Sequence, residues 1–293
     1  MSTASHSDSS SVANDLVIRY YDATLDLYEG LIGGNIHHGY WEPGTPPGSA
    51  DDRADAADRL VRVLAEYGGV TPQTRVLDVG CGIGGPAIIL ARELNCRVEG
   101  ITLSAAQVHR ATEKAVADGV ADRTRFREAD YFANDYSAES FNVVWSLESM
   151  LHLPVGPFLA EAARLLRPGG TVVIGMWCSR EELTVEERSL LRRTLIAQAA
   201  IPTQASIAEV TQELRRAGFI EPRTADWSDR VKRSWAPEYA QFDSARRDPK
   251  VIARLARERG IEVYGFYRAE ALMREAFDSG AMRYGVFAAI KAT

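Results

Sequence analysis

Runs of branched apolar residues alternate with segments of helical periodicity through the middle of the chain. The runs with the length and composition of buried strands are 75–79, 97–102, 124–128, 141–146 and 171–176. Segments with apolar residues at helical spacing lie before and between them, at 54–67, 85–94, 105–118 and 156–166. Strands and helices that alternate in this way predict parallel strands with right-handed crossovers. We therefore expect an α/β fold with a doubly wound, mostly parallel sheet.

The N-terminal part of the chain follows another pattern. Residues 1–11 are polar and predict a disordered tail. Residues 12–41 contain one or two amphipathic helices by their spacing, and 42–49 form a linker rich in proline and glycine. Residues 12–52 are therefore expected to be a helical lid with its linker, in front of a core at 53–177.

The C-terminal part, residues 178–293, is expected to be a cap that belongs to the same domain. Its helical segments form an insertion after the fifth strand. Strand-like runs at 220–227 and 284–290 would close the sheet, which then has seven strands. Further helical spacing is present at 231–259 and 264–277.

The first predicted strand leads into a cluster of glycines. The sequence from Val76 to Gly85 is VLDVGCGIGG, and an apolar helical segment follows it. Glycine lets the backbone take a positive φ and lets a ligand approach without meeting a Cβ atom. The N-terminus of the following helix would offer free N–H groups to polar or anionic ligand atoms. The stretch therefore predicts a loop that binds a nucleotide-type cofactor.

Other positions favour a cofactor different from a dinucleotide. The second strand ends at Thr102, where the ribose of NAD would need a carboxylate. An acid, Asp78, lies inside the first strand, and the pair Asp130 and Tyr131 follows the third strand. The sequence also lacks the lysine of a P-loop, which excludes a P-loop NTPase.

Composition narrows the class of protein further. Apolar residues make up 46% of the 293 residues, and no apolar run approaches the roughly 20 residues of a transmembrane helix. The net charge of −6 disfavours a general nucleic-acid surface. Cys81, Cys96 and Cys178 are widely spaced, which favours a reducing compartment and offers no zinc-site spacing. We expect a cytoplasmic protein without a secretory signal or membrane span.

The glycine cluster and the flanking acids resemble the class I S-adenosylmethionine-dependent methyltransferases, whose fold is Rossmann-like. The resemblance covers residues 74–176 and includes a second motif, LLRPGG at 165–170. It implies S-adenosylmethionine as the cofactor and S-adenosylhomocysteine as the product. The expected cofactor residues are Tyr21, Asp78, Gly80, Cys81, Gly82, Thr102, Leu103, Gln107, Asp130, Tyr131, Ser146 and Leu147.

The resemblance also implies which part of the cofactor some of these residues contact. Gly80 and Gly82 would lie against the methionine moiety, with Asp78 nearby. Asp130 would accept a hydrogen bond from the adenine amino group, with Tyr131 beside the ring. Most members hold the ribose with an acid, and this chain departs from them. Its TLSAAQ stretch at 102–107 matches a subgroup in which the glutamine takes part in ribose binding.

That subgroup resembles the tocopherol and sterol C-methyltransferases and their bacterial natural-product relatives. The shared stretches include YYD at 20–22, IHHGYW at 36–41, LESM at 147–150 and TADWS at 224–228. In this group the tyrosine of the N-terminal Tyr-Asp pair closes over the cofactor. The resemblance therefore points to Tyr21.

Two side chains after the fourth predicted strand are candidate proton acceptors. Glu148 lies at the carboxyl edge, where ligands of such sheets bind, and His152 follows four residues later. Each also has a structural interpretation, since Glu148 could bind the cofactor or cap a helix and His152 could be a buried structural histidine. Together with Tyr21 they form the expected catalytic set. We predict no metal, because the fourth strand is not followed by clustered Asp or Asn.

Aromatic side chains are expected around the acceptor, because each ring face can stabilise a cation by about 0.5–2 kcal/mol. Trp145, at the end of the fourth strand, is a further candidate for this role, whereas Trp227 and Trp235 are expected to pack. The two adjacent histidines could instead order the lid by hydrogen bonds. The expected acceptor pocket consists of His37, His38, Tyr40, Trp41 and Trp177.

The hypothesis is a small-molecule methyltransferase of bacterial secondary metabolism that C-methylates an electron-rich alkene or ring. The resemblance is greatest to the teleocidin-type prenyl C-methyltransferases of indole terpenoids, in which methylation generates a cation that can cyclise. O- or N-methylation of a sugar, phenol or alkaloid is the alternative, and a cofactor-binding protein without turnover is another. The linker at 42–49 would let the lid close over its own site or a neighbour's, which predicts a homo-oligomer with exchanged lids.

Overall fold

A seven-stranded, mostly parallel sheet forms the centre of the structure. The computed structural model describes residues 5–32, 35–45, 50–197, 201, 204–235, 250, 254, 257 and 272–293. The strands are β1 Arg75–Val79, β2 Arg97–Thr102, β3 Thr124–Glu128, β4 Phe141–Leu147, β5 Leu166–Ser179, β6 Phe219–Asp226 and β7 Met282–Lys291. Their order is β3-β2-β1-β4-β5-β7-β6, with β7 antiparallel to both of its neighbours. The expected α/β, Rossmann-like, doubly wound fold is confirmed.

Helices cover the sheet and precede it. Their bounds are α1 Ser5–Ile32, α2 Ala50–Gly68, α3 Gly85–Leu94, α4 Ala105–Ala117, α5 Val155–Leu165, α6 Val185–Ala197, α7 Ile207–Arg216 and α8 Ser228–Val231. Single 3-10 turns lie at Tyr131–Ala133, Met150–His152 and Lys232–Trp235. Residues 272–278 are also helical, while most of the helical segments expected within 231–259 and 264–277 lie outside the described residues.

The central strands carry apolar residues on both faces because helices pack against both sides of the sheet. β4 shows this pattern, with Phe141, Val144 and Trp145 all fully buried. Local signals then fix where the flanking helices begin. Ser104 caps α4 by accepting a hydrogen bond from the backbone N–H of Gln107, and a Ser206 capping box begins α7.

The structure differs from the sequence expectations in several places. Helix α1 is one continuous helix from Ser5, so the residues 5–11 expected to be disordered are helical. Strand β5 begins at Leu166, five residues before the expected start of the fifth strand at 171. The extension is possible because Phe141 pairs with Leu166 ahead of a register shift in the β4–β5 ladder.

The strand order reverses between β1 and β4. These two strands are parallel neighbours in the sheet, and the helices that follow them lie on opposite faces. Such a switch point opens a crevice outside the carboxyl ends of the strands, where ligands of doubly wound sheets bind. In the described part of the chain, no helix is both long and apolar enough to cross a membrane.

Candidate active site

A cavity lies at this switch point, beneath helix α1. Its walls come from the carboxyl ends of β1, β2, β3 and β4, from α1, and from residues 36 and 37. Most of its lining is apolar, and the described lining contains neither lysine nor arginine. The cavity therefore suits an uncharged or cationic ligand better than a free phosphate.

The glycine turn after β1 forms the floor of this cavity. Gly80 has φ +71°, and a Cβ atom there would overlap the Cβ of Ser149. Gly82 has φ +53°, and its Cβ would lie 3.0 Å from Cδ1 of Ile36. The N–H groups of Gly80 and Cys81 both donate to the Ile101 carbonyl, at 2.9 and 3.0 Å, which anchors the turn to β2. The turn therefore forms a cradle in which only glycine fits at positions 80 and 82.

Asp78 lies directly beneath the turn and is buried, although it does not line the cavity itself. Its Oδ2 atom has no hydrogen-bond partner among the described residues. Burial raises the pKa of Asp78 to about 7. An unpartnered buried carboxylate oxygen beside a glycine cradle fits a cofactor that carries a cationic group, such as the ammonium of the methionine moiety.

Thr102 and Gln107 form a polar pair at the end of β2. The Thr102 hydroxyl donates to the Gln107 carboxamide oxygen at 2.5 Å, and both side chains are buried in the cavity wall. This hydrogen bond leaves the Gln107 amide NH₂ to donate to a ligand hydroxyl. Ser104 ties the same corner to α1, because its hydroxyl donates to Asp22 at 2.5 Å.

Asp130 occupies the end of β3 with both carboxylate oxygens engaged. Its Oδ1 accepts the Phe132 backbone N–H at 2.8 Å, which begins the 3-10 turn. Its Oδ2 accepts the amide of Asn14 from α1 at 3.0 Å. Tyr131 stacks on Phe158 with ring centroids 4.9 Å apart. The carboxylate is thus oriented to accept an amino group.

Tyr21 and His152 join α1 to the turn after β4. The Tyr21 hydroxyl lies 3.0 Å from His152 Nε2, and the rings meet edge to face. Burial lowers the pKa of His152 to about 4, so the imidazole is neutral near pH 7. Its Nδ1 is buried without a partner among the described residues. The pair closes the cavity on the side of α1.

Glu148 follows β4 with a left-handed backbone conformation, φ +56°. Its Oε1 accepts hydrogen bonds from the His38 backbone N–H at 3.0 Å and from the Tyr284 hydroxyl at 2.9 Å. His38 Nδ1 lies 2.9 Å from both carboxylate oxygens. Burial acts to raise the pKa of Glu148, but the contacts with His38 outweigh it and hold the pKa below its ordinary value. The carboxylate is charged, and both of its oxygens accept hydrogen bonds from the protein.

His38 is locked into one tautomer by its neighbours. The Trp235 indole N–H donates to His38 Nε2 at 2.6 Å, and an indole can only donate. Nε2 is therefore an acceptor, and the ring proton lies on Nδ1, which donates to Glu148. The Trp177 indole nitrogen is farther from Nδ1, at 3.3 Å, and packs edge to face on the ring. His38 thus connects Glu148 to the C-terminal segment.

His37, the residue before His38, faces the opposite way from it. It is buried and lines the cavity. Its Nδ1 lies 2.8 Å from the His38 carbonyl oxygen, and its Nε2 has no partner among the described residues. Burial lowers the pKa of His37, with the charge of Glu148 acting in the opposite direction.

Most of the expected cofactor residues line the cavity. Those that do are Tyr21, Gly80, Cys81, Gly82, Thr102, Leu103, Gln107, Asp130, Tyr131 and Leu147. Ser146 does not. It is fully buried, with its hydroxyl 2.7 Å from that of Ser149 and accepting the Met150 N–H, so it shapes the turn after β4. Glu148 and His152, from the expected catalytic set, also line the cavity.

Of the residues expected in the acceptor pocket, only His37 is among the described cavity lining. Tyr40 packs on Trp227, and the Trp41 indole donates to Asp52. His38 and Trp177 lie behind Glu148. The contacts of these side chains join residues 35–41 to the core. Trp145 is fully buried in β4.

Several residues of the site carried little sequence signal. Asn14 contacts Asp130, Asp22 contacts Ser104, and Tyr284 contacts Glu148. Each contact is a single side-chain hydrogen bond between distant parts of the chain. Ser104 could have been found, because a serine three residues before Gln107 at a predicted helix start is an N-cap pattern. Trp235 lies in a segment whose spacing gave no reason to place it on His38.

Comparisons with known proteins agree with this geometry. A family profile described as "Methyltransferase domain" matches residues 76–170. The chain is 34% identical to the 2-methyl-6-phytyl-1,4-hydroquinone methyltransferase of Synechocystis sp., over 98% of this chain and 89% of that protein. It is 35% identical to the 27-O-demethylrifamycin SV methyltransferase of Amycolatopsis mediterranei, over 77% and 81%.

A solved structure is also similar across nearly the whole chain. The crystal structure of the [4+2]-cyclase SpnF matches with a TM-score of 0.77 and 28% identity, over 94% of this chain and 95% of that chain. The cofactor is S-adenosylmethionine, which the methyltransferase relatives indicate and which the glycine cradle and the neighbouring acids fit. The chain belongs to the class I S-adenosylmethionine-dependent methyltransferases, in the group of the tocopherol and sterol methyltransferases.

Proposed function

We propose that the chain methylates a carbon atom of an electron-rich alkene, such as the prenyl group of a terpenoid indole. The observation that carries the proposal is a cavity whose described lining lacks cationic side chains and contains two buried neutral imidazoles, His37 and His152. Such a lining favours an uncharged, apolar acceptor. It also provides groups that can accept a proton after the new bond has formed.

The names of the relatives support the same class of acceptor. One relative acts on a hydroquinone that carries a phytyl chain, which is an electron-rich ring with an isoprenoid substituent. Another is named a [4+2]-cyclase, so a member of this fold assists ring formation. Cyclisation of the cation that methylation leaves on the acceptor is also part of the proposal.

S-adenosylmethionine, when bound, supplies a methyl group on a positively charged sulfur. The chain's contribution is to hold both reactants in line, which can supply about 7–11 kcal/mol. The Gly80 turn and Asp78 would hold the methionine end, Gln107 the ribose and Asp130 the adenine. Closure of α1 through Tyr21 and His152 then excludes water from the cavity.

Glu148 has an electrostatic and positioning role in this proposal rather than that of a base. Its carboxylate is already engaged by His38 and Tyr284, and its pKa is held low, so it is a poor proton acceptor. Its fixed negative charge lies at the cavity wall, where it would stabilise positive charge on the acceptor. Tyr21 and His152 remain proposed catalytic residues through closure of the cavity.

O- or N-methylation of a sugar, phenol or alkaloid is the second candidate. The relative named for 27-O-demethylrifamycin SV favours it, because that name describes methylation of an oxygen. The same imidazoles could accept a hydroxyl proton. The position of the transferred methyl group separates the two candidates.

The test uses S-adenosylmethionine labelled with ¹³C in its methyl group and a prenylated indole. We expect the label on a prenyl carbon, as seen in the one-bond ¹³C–¹³C couplings of a ¹³C-enriched acceptor. Label found only on oxygen or nitrogen would contradict C-methylation and favour the second candidate. Gly80→Ala is the control without turnover, because its Cβ would overlap Ser149 at a positive φ.

We also propose a homo-oligomer in which copies exchange α1. The hydrogen bonds that α1 makes with the core, Asn14 to Asp130 and Asp22 to Ser104, would form equally well between two copies. The linker at 42–49 would then connect the exchanged helix. Light scattering tests this directly, since a strict monomer at micromolar concentration rules out exchange.

A further inference from the structure

His37 presents an imidazole nitrogen that neither cofactor binding nor the contact with α1 uses. The side chain is buried in the cavity wall, and Nε2 has no partner among the described residues. We propose that His37 Nε2 is the proton acceptor of the reaction, and that Glu148 is the positioning residue that aims it. The inference rests on the proposed function, because it concerns the proton released by the methylated acceptor.

The tautomer of His37 follows from a single hydrogen bond. Nδ1 lies 2.8 Å from the carbonyl oxygen of His38, and a carbonyl can only accept. Nδ1 therefore carries the ring proton, and Nε2 has its lone pair available. A neutral imidazole with this arrangement is prepared to take one proton without first losing another.

The orientation of His37 depends on Glu148 through His38. Glu148 accepts both the backbone N–H and the Nδ1–H of His38, which fixes the residue whose carbonyl holds His37. The Gly39 N–H belongs to the same peptide as that carbonyl, and it anchors this peptide by donating to the Ser234 hydroxyl at 2.9 Å. The imidazole is thus held by a succession of hydrogen bonds that begins at the end of β4.

The surroundings of the two imidazoles favour His37 over His152 as the base. Burial lowers the pKa of His37, and the carboxylates of Glu148 and Asp58 and the hydrogen bond to the His38 carbonyl act in the opposite direction. His152 is affected by burial alone, which lowers its pKa to about 4. Its Nε2 is also engaged with Tyr21, so accepting a proton there would disturb the contact with α1. His37 Nε2 has no such partner among the described residues, so it can accept a proton without breaking a contact.

The alkene electron pair forms the new carbon–carbon bond to the methyl group, and the bond between methyl and sulfur breaks with its pair remaining on sulfur. A cation is left on the neighbouring acceptor carbon. His37 Nε2 takes a proton from the carbon next to that cation, and the C–H electron pair becomes the new double bond. The imidazolium then returns its proton to solvent.

The first test compares His37→Gln with His109→Gln, a control on the exposed surface of α4. With labelled cofactor and a prenylated indole, we expect His37→Gln to form alkene product 10²–10⁴-fold more slowly, the usual contribution of a general base. Part of the remaining product should be an alcohol, because water captures the cation and then loses a proton. Binding of S-adenosylhomocysteine, measured by calorimetry, should change less than twofold. In His37→Ala, exogenous imidazole should restore part of the rate.

A rate within twofold of the wild type for His37→Gln, with no alcohol, would overturn the role of His37 while leaving C-methylation intact. Loss of S-adenosylhomocysteine binding together with failure of imidazole rescue would also overturn it, because both indicate a structural side chain. Glu148→Gln should lower the rate and shift the acid limb of the pH profile. An unchanged profile would contradict its positioning role.

A second measurement does not depend on the acceptor. The chain has 5 histidines, so ¹⁵N spectra of the histidine-labelled protein with S-adenosylhomocysteine can be assigned with one His→Gln variant each. We expect His37 to be protonated on Nδ1 and bare on Nε2 at pH 7.5. Protonation on Nε2 would overturn the inference even if the prenylated indole is not methylated, in which case the proposed function fails separately.

Discussion

Asp78 and Glu148 are buried carboxylates at the carboxyl ends of neighbouring parallel strands, β1 and β4, yet their surroundings have opposite effects. Burial raises the pKa of Asp78 to about 7, and its Oδ2 has no partner among the described residues. The Glu148 side chain is also largely buried, with 8% of it exposed, but its hydrogen bonds hold its pKa below the ordinary value. Burial alone therefore does not set the charge of an acid at this edge of the sheet; the donors around it do.

The difference separates a completed site from one that needs a ligand. Glu148 receives its donors from His38 and Tyr284, so folding alone satisfies it. Asp78 is left with a carboxylate oxygen that the described chain does not satisfy, and a cationic ligand would lower the cost of ionising it. On this view Glu148 organises the acceptor side of the cavity, and Asp78 responds to the cofactor.

The largest expected effect comes from removing Glu148. Glu148→Ala would leave the His38 N–H and Nδ1–H and the Tyr284 hydroxyl without an acceptor in a buried site. Each donor left unsatisfied in a buried site costs about 1–3 kcal/mol, which gives roughly 3–9 kcal/mol for the three. We expect a loss of that size in the free energy of unfolding, measured in urea at pH 7.5.

Tyr284→Phe is the matched control, because it removes one donor to the same carboxylate. Its cost should be near 1 kcal/mol, the net value of a single hydrogen bond. If Glu148→Ala lost no more stability than Tyr284→Phe, the carboxylate would not be the centre of the network, and the contrast with Asp78 would disappear.

Asp78 provides the next largest effect, with the opposite dependence on pH. Its pKa in the folded protein is about 7, above the ordinary 3.8, so the stability that its neutral form contributes is complete below pH 3.8 and is lost as pH rises through 7. This loss amounts to about 4 kcal/mol. Asp78→Asn should therefore be more stable than the wild type at pH 8, and the advantage should vanish near pH 4.

Thermal unfolding from pH 5 to pH 8, with and without S-adenosylhomocysteine, checks this prediction. In the wild type the ligand should stabilise more at pH 8 than at pH 5, since its ammonium group compensates the ionised Asp78. In Asp78→Asn that increase should be absent. The same increase in both proteins would mean that Asp78 does not respond to the cofactor.

The contrast also explains how much of the molecule follows from its sequence. Asp78 precedes the glycine turn, and both are local features of one strand–turn–helix unit, so the strands 75–79, 97–102 and 124–128 and the cofactor side were predictable from short stretches. Apolar runs buried on both faces fix such strands strongly. The terminal extension of α1 was not predictable, because its polar residues carry no apolar periodicity.

The acceptor side was harder because distant residues assemble it. His37 and His38 are adjacent and chemically identical, and residues 35–41 lack the regular spacing that would show which of them faces inward. The tertiary contacts decide, since Glu148 and Trp235 capture His38 and leave His37 at the cavity. The sequence did not decide the place of the tryptophans for the same reason, because a bulky aromatic near a strand end can line a pocket or fill the core.

The smallest effect concerns the contact that closes the cavity beside these acids. Tyr21→Phe removes the hydroxyl that lies 3.0 Å from His152 Nε2 and keeps the edge-to-face ring contact. One hydrogen bond contributes about 1 kcal/mol, which is close to a fivefold weakening of S-adenosylhomocysteine binding if closure is coupled to binding. Calorimetry measures it, and Asp22→Asn offers a second contact of α1 with the core, through Ser104, for comparison. If Tyr21→Phe bound as tightly as the wild type while Asp22→Asn did not, α1 would be held by its contact with α4 and not by the site that Glu148 and Asp78 flank.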